Sequence, residues 1–109
     1  MTIKIKPTKE LSLDELKLII GDSKNRNILF VRRFFDNWVS GSNRFDRKGE
    51  ILLIAKDSDR VIGLCGLNID PYCSIQKLGR VRHLYVLSTY RRRGIGSQLI
   101  AQIVHYALP

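Results

Sequence analysis

The stretch Arg80-Val81-Arg82-His83-Leu84-Tyr85-Val86-Leu87-Ser88-Thr89-Tyr90-Arg91-Arg92-Arg93-Gly94-Ile95-Gly96-Ser97-Gln98-Leu99-Ile100 decides how this chain is read. Arg80 to Leu87 has the composition of a strand, and Ile95, Leu99, Ile100, Ile103, Val104 and Ala107 fall on one stripe of a helix that closes the chain. Between them lie three arginines and a glycine pair. The first turn of a helix carries unpaired N–H groups and the positive end of the helix dipole, and glycines let oxygen atoms reach that backbone unobstructed. Arginine adds charge-assisted, often bidentate bonds to phosphate. A strand, a glycine-bearing turn and an amphipathic helix together make a candidate anion site.

Working outward, Glu50 to Lys56 and Arg60 to Asp70 are apolar runs rich in Ile, Leu and Val, separated by Asp57-Ser58-Asp59, and predict an antiparallel hairpin. Their near-continuous apolarity requires cover on both sheet faces, which helices supply, so the chain reads as a layered α/β (α+β) structure. Gly63 and Gly66 on the second of these strands mark a bulge or a close neighbour, or serve plain packing. Asp70 to Leu78, with Pro71, reads as a loop.

Toward the N-terminus, Thr2 to Lys6 alternates isoleucine with polar residues and predicts a first strand. Ser12-Leu13-Asp14-Glu15 matches a capping box, followed by Leu13, Leu16, Ile19 and Ile20 on one helical stripe, with Gly21 as its stop. Asn25 to Val39 places Ile28, Val31, Phe34, Phe35 and Trp38 at helical spacing, an aromatic stripe assigned to packing. The polar run Ser40 to Gly49 is a loop.

Composition sets the limits. With 109 residues, 44% hydrophobic and 27% charged, the chain fits one domain over 1–109 that buries one core. Cys65 and Cys73 form neither a disulfide framework nor a zinc set with His83 and His105, which suits a reducing, cytoplasmic setting. No apolar run approaches membrane-spanning length, so no membrane partner is expected. The net charge of +9 favours anionic partners, and Lys77, Arg80, Arg82 and Arg91 to Arg93 concentrate it beside the glycines.

Leu84-Tyr85-Val86 followed by Thr89 to Ile100 resembles the acetyl-coenzyme-A motif of the GNAT N-acetyltransferase superfamily, whose signature is Arg or Gln, two residues, Gly, one residue, then Gly or Ala. Arg91, Gly94 and Gly96 fill those places. The element order resembles the first two-thirds of that fold, a GNAT-like mixed sheet with helices on both faces, lacking the usual C-terminal strands and helix. The resemblance implies that amides from Arg92 through Ile95 to Gly96 hold the pyrophosphate of acetyl-coenzyme A, the acetyl donor. Arg91, Arg92, Arg93 and Ser97 belong to the same site, the arginines either contacting the ligand or remaining solvated. Leu84, Tyr85 and Val86 would pair through their main chain with the pantetheine arm.

The implied activity is acetyl transfer to a primary amine by direct attack, with the acceptor unidentified. Two features depart from the family pattern. The central strand carries no carboxylate to act as base, leaving His83 and Tyr85 as its titratable groups besides arginines; His83 serves only if it faces the cleft. The family's later helix, which commonly supplies a tyrosine acid, has no counterpart, and Tyr106 lies on the wrong helix to replace it. The Arg80 to Leu87 strand then has an unpaired edge, which predicts a homodimer or a partner chain. Alternatives are a module that binds acetyl-coenzyme A without turnover and a basic module that binds nucleic acid, the latter disfavoured because Phe34, Phe35 and Trp38 read as buried and leave no stacking platform.

Overall fold

The computed structural model describes residues 3–26, 28, 30–69 and 79–107. In chain order these form β1 (Ile3–Pro7), α1 (Leu13–Asn25), α2 (Phe30–Ser40), β2 (Ile51–Asp57), β3 (Arg60–Ile69), β4 (Gly79–Val86), a 3-10 turn (Ser88–Tyr90) and α3 (Ile95–Ala107). The four strands make one sheet in the order β1-β2-β3-β4, each antiparallel to its neighbour. The loop expected from Asp70 to Leu78 lies outside the described residues.

The expected hairpin forms across Asp57 and Arg60, with Ser58 at a left-handed φ of 53°. Its strands are buried on both faces, Leu52 to Ala55 and Val61 to Asn68 being almost wholly removed from water. Leu53 and Ile51 share a groove with Ala101 and His105 of α3, and a Cβ on Gly63 would touch Leu99. Strand alternation turns Leu52 and Ile54 the other way, toward α1 and α2. The expected α/β layering, with helices on both faces, is therefore what forms.

Helix α1 starts where its capping box predicts: the Glu15 amide donates to Ser12 Oγ at 3.2 Å and the Ser12 amide to Glu15 Oε1 at 3.1 Å. It does not stop at Gly21. A glycine inside a helix costs about 1 kcal/mol relative to alanine, but the buried row Leu16, Ile19, Ser23 continues past it, and Asp22 is anchored to the sheet as described below. The stripe is also narrower than expected, because Leu13 is exposed. With residues up to Asn25 taken by α1, α2 begins at Phe30 rather than Asn25, and buries Val31, Phe34 and Trp38.

In α3, Ile95, Leu99 and Ile103 are buried, each worth roughly 1.5–3 kcal/mol of apolar transfer. Ile100 and Val104, expected on the same stripe, are exposed by 38% and 48%. The helix rests on the sheet by one residue per turn, so neighbours 100° away around its axis stay in water.

Candidate functional site

The site begins with an irregularity in β4. Leu64 faces Tyr85 and Gly66 faces Arg82, so Cys65 stands opposite two residues, His83 and Leu84. His83 adopts the left-handed φ of 61° at this bulge. The ladder then resumes, with the Leu87 amide bonded to the Ile62 carbonyl at 2.8 Å. Antiparallel alternation makes Tyr85 the preceding inward-bonded residue and turns the amide and carbonyl of Val86 toward the sheet's open edge. There the Val86 carbonyl accepts from Arg91 Nε at 3.0 Å.

Past the 3-10 turn the chain reverses through Arg92 and Gly94, at φ of 64° and 77°. The Gln98 amide bonds to the Gly94 carbonyl at 3.0 Å, so Gly94 caps α3. The amides of Ile95, Gly96 and Ser97 have no carbonyl to reach within the helix, and they make no other hydrogen bond among the described residues. A Cβ on Gly94 would meet nothing within 4 Å, and one on Gly96 only Val86 Cγ2 at 3.8 Å. The mouth of α3 is thus a row of free donors, at the positive end of the helix dipole, without steric cover.

Nine of the ten sequence-predicted site residues converge on one recess of about 360 Å³: Leu84, Tyr85 and Val86 form one wall, and Arg91, Arg92, Gly94, Ile95, Gly96 and Ser97 the other. Tyr90 also lines it. Arg93 is the exception. Its guanidinium lies over the Tyr90 ring, 5.5 Å from the centroid, and lines a second recess on the α1 side of the loop with Lys17, Asp22 and Arg60. A cation over that ring face gains a modest attraction while the side chain stays exposed to water. Arg91 behaves similarly, 5.2 Å over Tyr85.

Asp22, which the sequence did not single out, ties α1 to this site. Its Oδ2 accepts from the Tyr85 hydroxyl at 2.5 Å and from the Ser88 amide at 3.2 Å, and its Oδ1 accepts from Ser88 Oγ. Burial alone would raise its pKa, but the bonds from Ser88 and Tyr85, with Arg26 at 3.9 Å, hold the carboxyl below its ordinary value. Burial, together with this carboxylate, pushes the Tyr85 phenol up to about 12, so it stays a donor. The signal was present in the helical spacing: Asp22 follows Ile19 by three positions, near the buried row, and a stop at Gly21 hides it.

His83 does not open toward a cleft through Nε2. That nitrogen is buried with no hydrogen-bond partner among the described residues, and the ring lies 5.9, 5.4 and 6.1 Å from those of Phe30, Phe34 and Phe45. Burial, with the Arg82 charge beside it, lowers its pKa to about 4. The imidazole is neutral at pH 7. Tyr85 and Tyr90, the aromatics beside the basic loop, are buried as well. Among the described residues no three His, Cys, Asp or Glu side chains gather as a metal site, and no helix is long and apolar enough to cross a membrane.

Residues 13–109 match the model of the acetyltransferase (GNAT) family. The chain belongs to that family. Among solved structures, an Exiguobacterium sp. 255-15 protein assigned as an acetyltransferase superposes with a TM-score of 0.85 at 25% identity, over 98% of this chain and 70% of that one. A GNAT-family acetyltransferase from Staphylococcus aureus Mu50 gives 0.74 at 20% identity, over 97% of this chain and 66% of its own. Arabidopsis thaliana NAA60, solved with a bisubstrate analogue, gives 0.62 at 25% identity over 96% and 67%. This GNAT chain therefore spans about two-thirds of the length of these structures. No curated protein matches it in sequence.

Proposed function

We propose that this GNAT-family chain holds acetyl-coenzyme A at the mouth of α3 and serves acetyl transfer to a primary amine. The observation that carries the reading is the convergence of three uncovered amides, at Ile95, Gly96 and Ser97, with Arg91, Arg92 and the outward edge of β4 around one recess. That set suits a diphosphate joined to an extended, amide-bearing arm: the amides and guanidinia take the phosphates, while the edge of β4 offers strand-like hydrogen bonds to the arm. The NAA60 structure, with its bisubstrate analogue, shares this fold. Acetyl-coenzyme A supplies an activated thioester. The amine nitrogen bonds to its carbonyl carbon as the C–S bond breaks, the nitrogen loses a proton and the thiolate gains one.

The described residues offer little for those proton transfers, which supports a second reading. His83 Nε2 is turned into an aromatic nest and β4 has no carboxylate, so the chain by itself binds the cofactor without turning it over, or acts with groups supplied by another chain. The open edge of β4 suits pairing with a second copy. A reducing, cytoplasmic setting remains the one the cysteine usage favours.

Calorimetric titration with coenzyme A tests the first step, and radiolabelled acetyl transfer across an amine panel the second. Binding with product supports the enzyme. Binding and thermal stabilisation without product selects the second reading, and no binding at millimolar coenzyme A removes both.

A further inference from the structure

Asp22 lines no part of the α3 recess, yet it is bonded to Tyr85, which does line it, and to Ser88 in the turn that follows β4. Its carboxylate accepts from the Tyr85 hydroxyl at 2.5 Å and from both the amide and hydroxyl of Ser88, so it clamps the end of β4 and the start of the 3-10 turn. Tyr85 in turn lies under Arg91, whose guanidinium is 5.2 Å from the ring centroid. A phenol that donates to a carboxylate is more electron-rich than a free one, and its face attracts a cation more strongly. Arg91 is fixed at a second point by its Nε bond to the Val86 carbonyl at 3.0 Å. With Nε so used, its two terminal nitrogens make no hydrogen bond among the described residues, and the residue lines the recess.

From this chain of contacts we infer that Asp22 is a positioning residue for Arg91, acting through the Tyr85 phenol to hold the guanidinium beside the free amides of α3. The inference rests on the reading of that recess as the coenzyme-A site. It assigns to α1, a helix on the far side of the sheet from α3, a part in setting affinity for the diphosphate. The Asp22 carboxylate is nearly saturated: its oxygens already accept three hydrogen bonds, so its charge is directed at the protein and not at the ligand. Asparagine at this position keeps the shape, and its amide nitrogen can donate to the Ser88 hydroxyl in the place of Oδ1, but it removes the negative charge that makes the phenol electron-rich.

The test is a double-mutant cycle on coenzyme-A affinity, measured by calorimetry with Asp22→Asn, Arg91→Ala and the pair, with thermal midpoints recorded alongside. Asp22→Asn is expected to weaken binding roughly tenfold in the otherwise native chain and to have almost no further effect once Arg91 is alanine, a coupling of the size seen for residues in contact. A lowered thermal midpoint should persist in both backgrounds, because the Ser88 bonds do not pass through Arg91. Should Asp22→Asn fold poorly, Tyr85→Phe keeps the ring and removes only the hydroxyl, and its affinity loss must likewise vanish without Arg91. Unchanged affinity in Asp22→Asn, or an equal loss in both backgrounds, overturns the positioning role while leaving the cofactor reading intact. No binding by the native chain overturns the cofactor reading itself, and this inference with it.

Discussion

The Phe45 ring rests against the Cα of Gly66 so closely that a methyl group there would stand 2.3 Å from Cε1, 2.7 Å from Cζ and 2.9 Å from Cδ1. Phe45 holds this position with a left-handed φ of 54° and packs 5.9 Å from Phe34 and 6.1 Å from His83. Gly66 is therefore the gap that admits the ring linking the loop after α2 to the β4 bulge. Gly66→Ala is expected to cost about 1–3 kcal/mol by overpacking. In the Phe45→Leu background the added cost should be smaller, since Cε1 and Cζ, the two nearest of the three clashing ring atoms, are gone. Urea unfolding of the four proteins checks this, and additive losses would mean that the ring moves aside freely.

Gly94 has a different reason to be glycine. At φ 77° it caps α3 with nothing near its missing side chain. Gly94→Asn should leave the fold nearly intact, because asparagine tolerates that conformation, whereas Gly94→Val should lose about 1–2 kcal/mol. Both side chains stand at the helix mouth, so both should weaken coenzyme-A binding, by tenfold or more for valine. Thermal melts separate the two variants, and calorimetry brings them together.

The His83 pKa gives a pH signature whose sign follows from its direction. The folded protein keeps this ring neutral down to about pH 4, while an unfolded histidine takes up its proton near 6.5. Between those values the unfolded state binds more protons, so stability falls as pH is lowered through that window and rises as pH is raised. The slope should approach about 1.4 kcal/mol per pH unit at most. His83→Asn, which suits the left-handed backbone, should flatten this segment of the stability curve measured by denaturant titration. A wild-type curve already flat from pH 6.5 to 4 would show the imidazole to be solvated.

Tyr90 anchors the β2–β3 hairpin to the start of the loop: its hydroxyl donates to Asp57 Oδ2 at 2.6 Å and accepts from Arg60 Nη2 at 3.1 Å. Tyr90→Phe removes both bonds and keeps the ring under Arg93. It is expected to lower the urea midpoint with unchanged slope, and to leave coenzyme-A affinity within a few-fold of the native chain.

Local rules carried most of the architecture. The alternation of Ile3 and Ile5, the Ser12–Glu15 box and the apolar runs on either side of Asp57-Ser58-Asp59 each act within a few residues, so they survive being read one segment at a time. The recess was legible for the same reason, its walls being two short stretches joined by one turn. What failed depended on distant partners. The continuation of α1 beyond Gly21 is held by contacts 63 and 66 positions away, at Tyr85 and Ser88. The exposure of Ile100 and Val104 depends on how α3 lies on the sheet. The β4 bulge falls opposite the Leu64–Gly66 stretch of β3, where the glycines left a bulge open as one reading, but the extra residue lies on β4 and only the pairing of both strands places it.

The sheet order β1-β2-β3-β4 also bears on how the molecule assembles. β2, β3 and β4 each join a strand adjacent in sequence, so their pairing closes short loops, with little chain entropy lost at each step. The face on which α3 docks is complete once β4 has zipped onto β3. The turn through Arg92 and Gly94 is then the last piece set in place, upon a scaffold already formed, and kinetic traps in this chain should spare the meander and strike that final docking event.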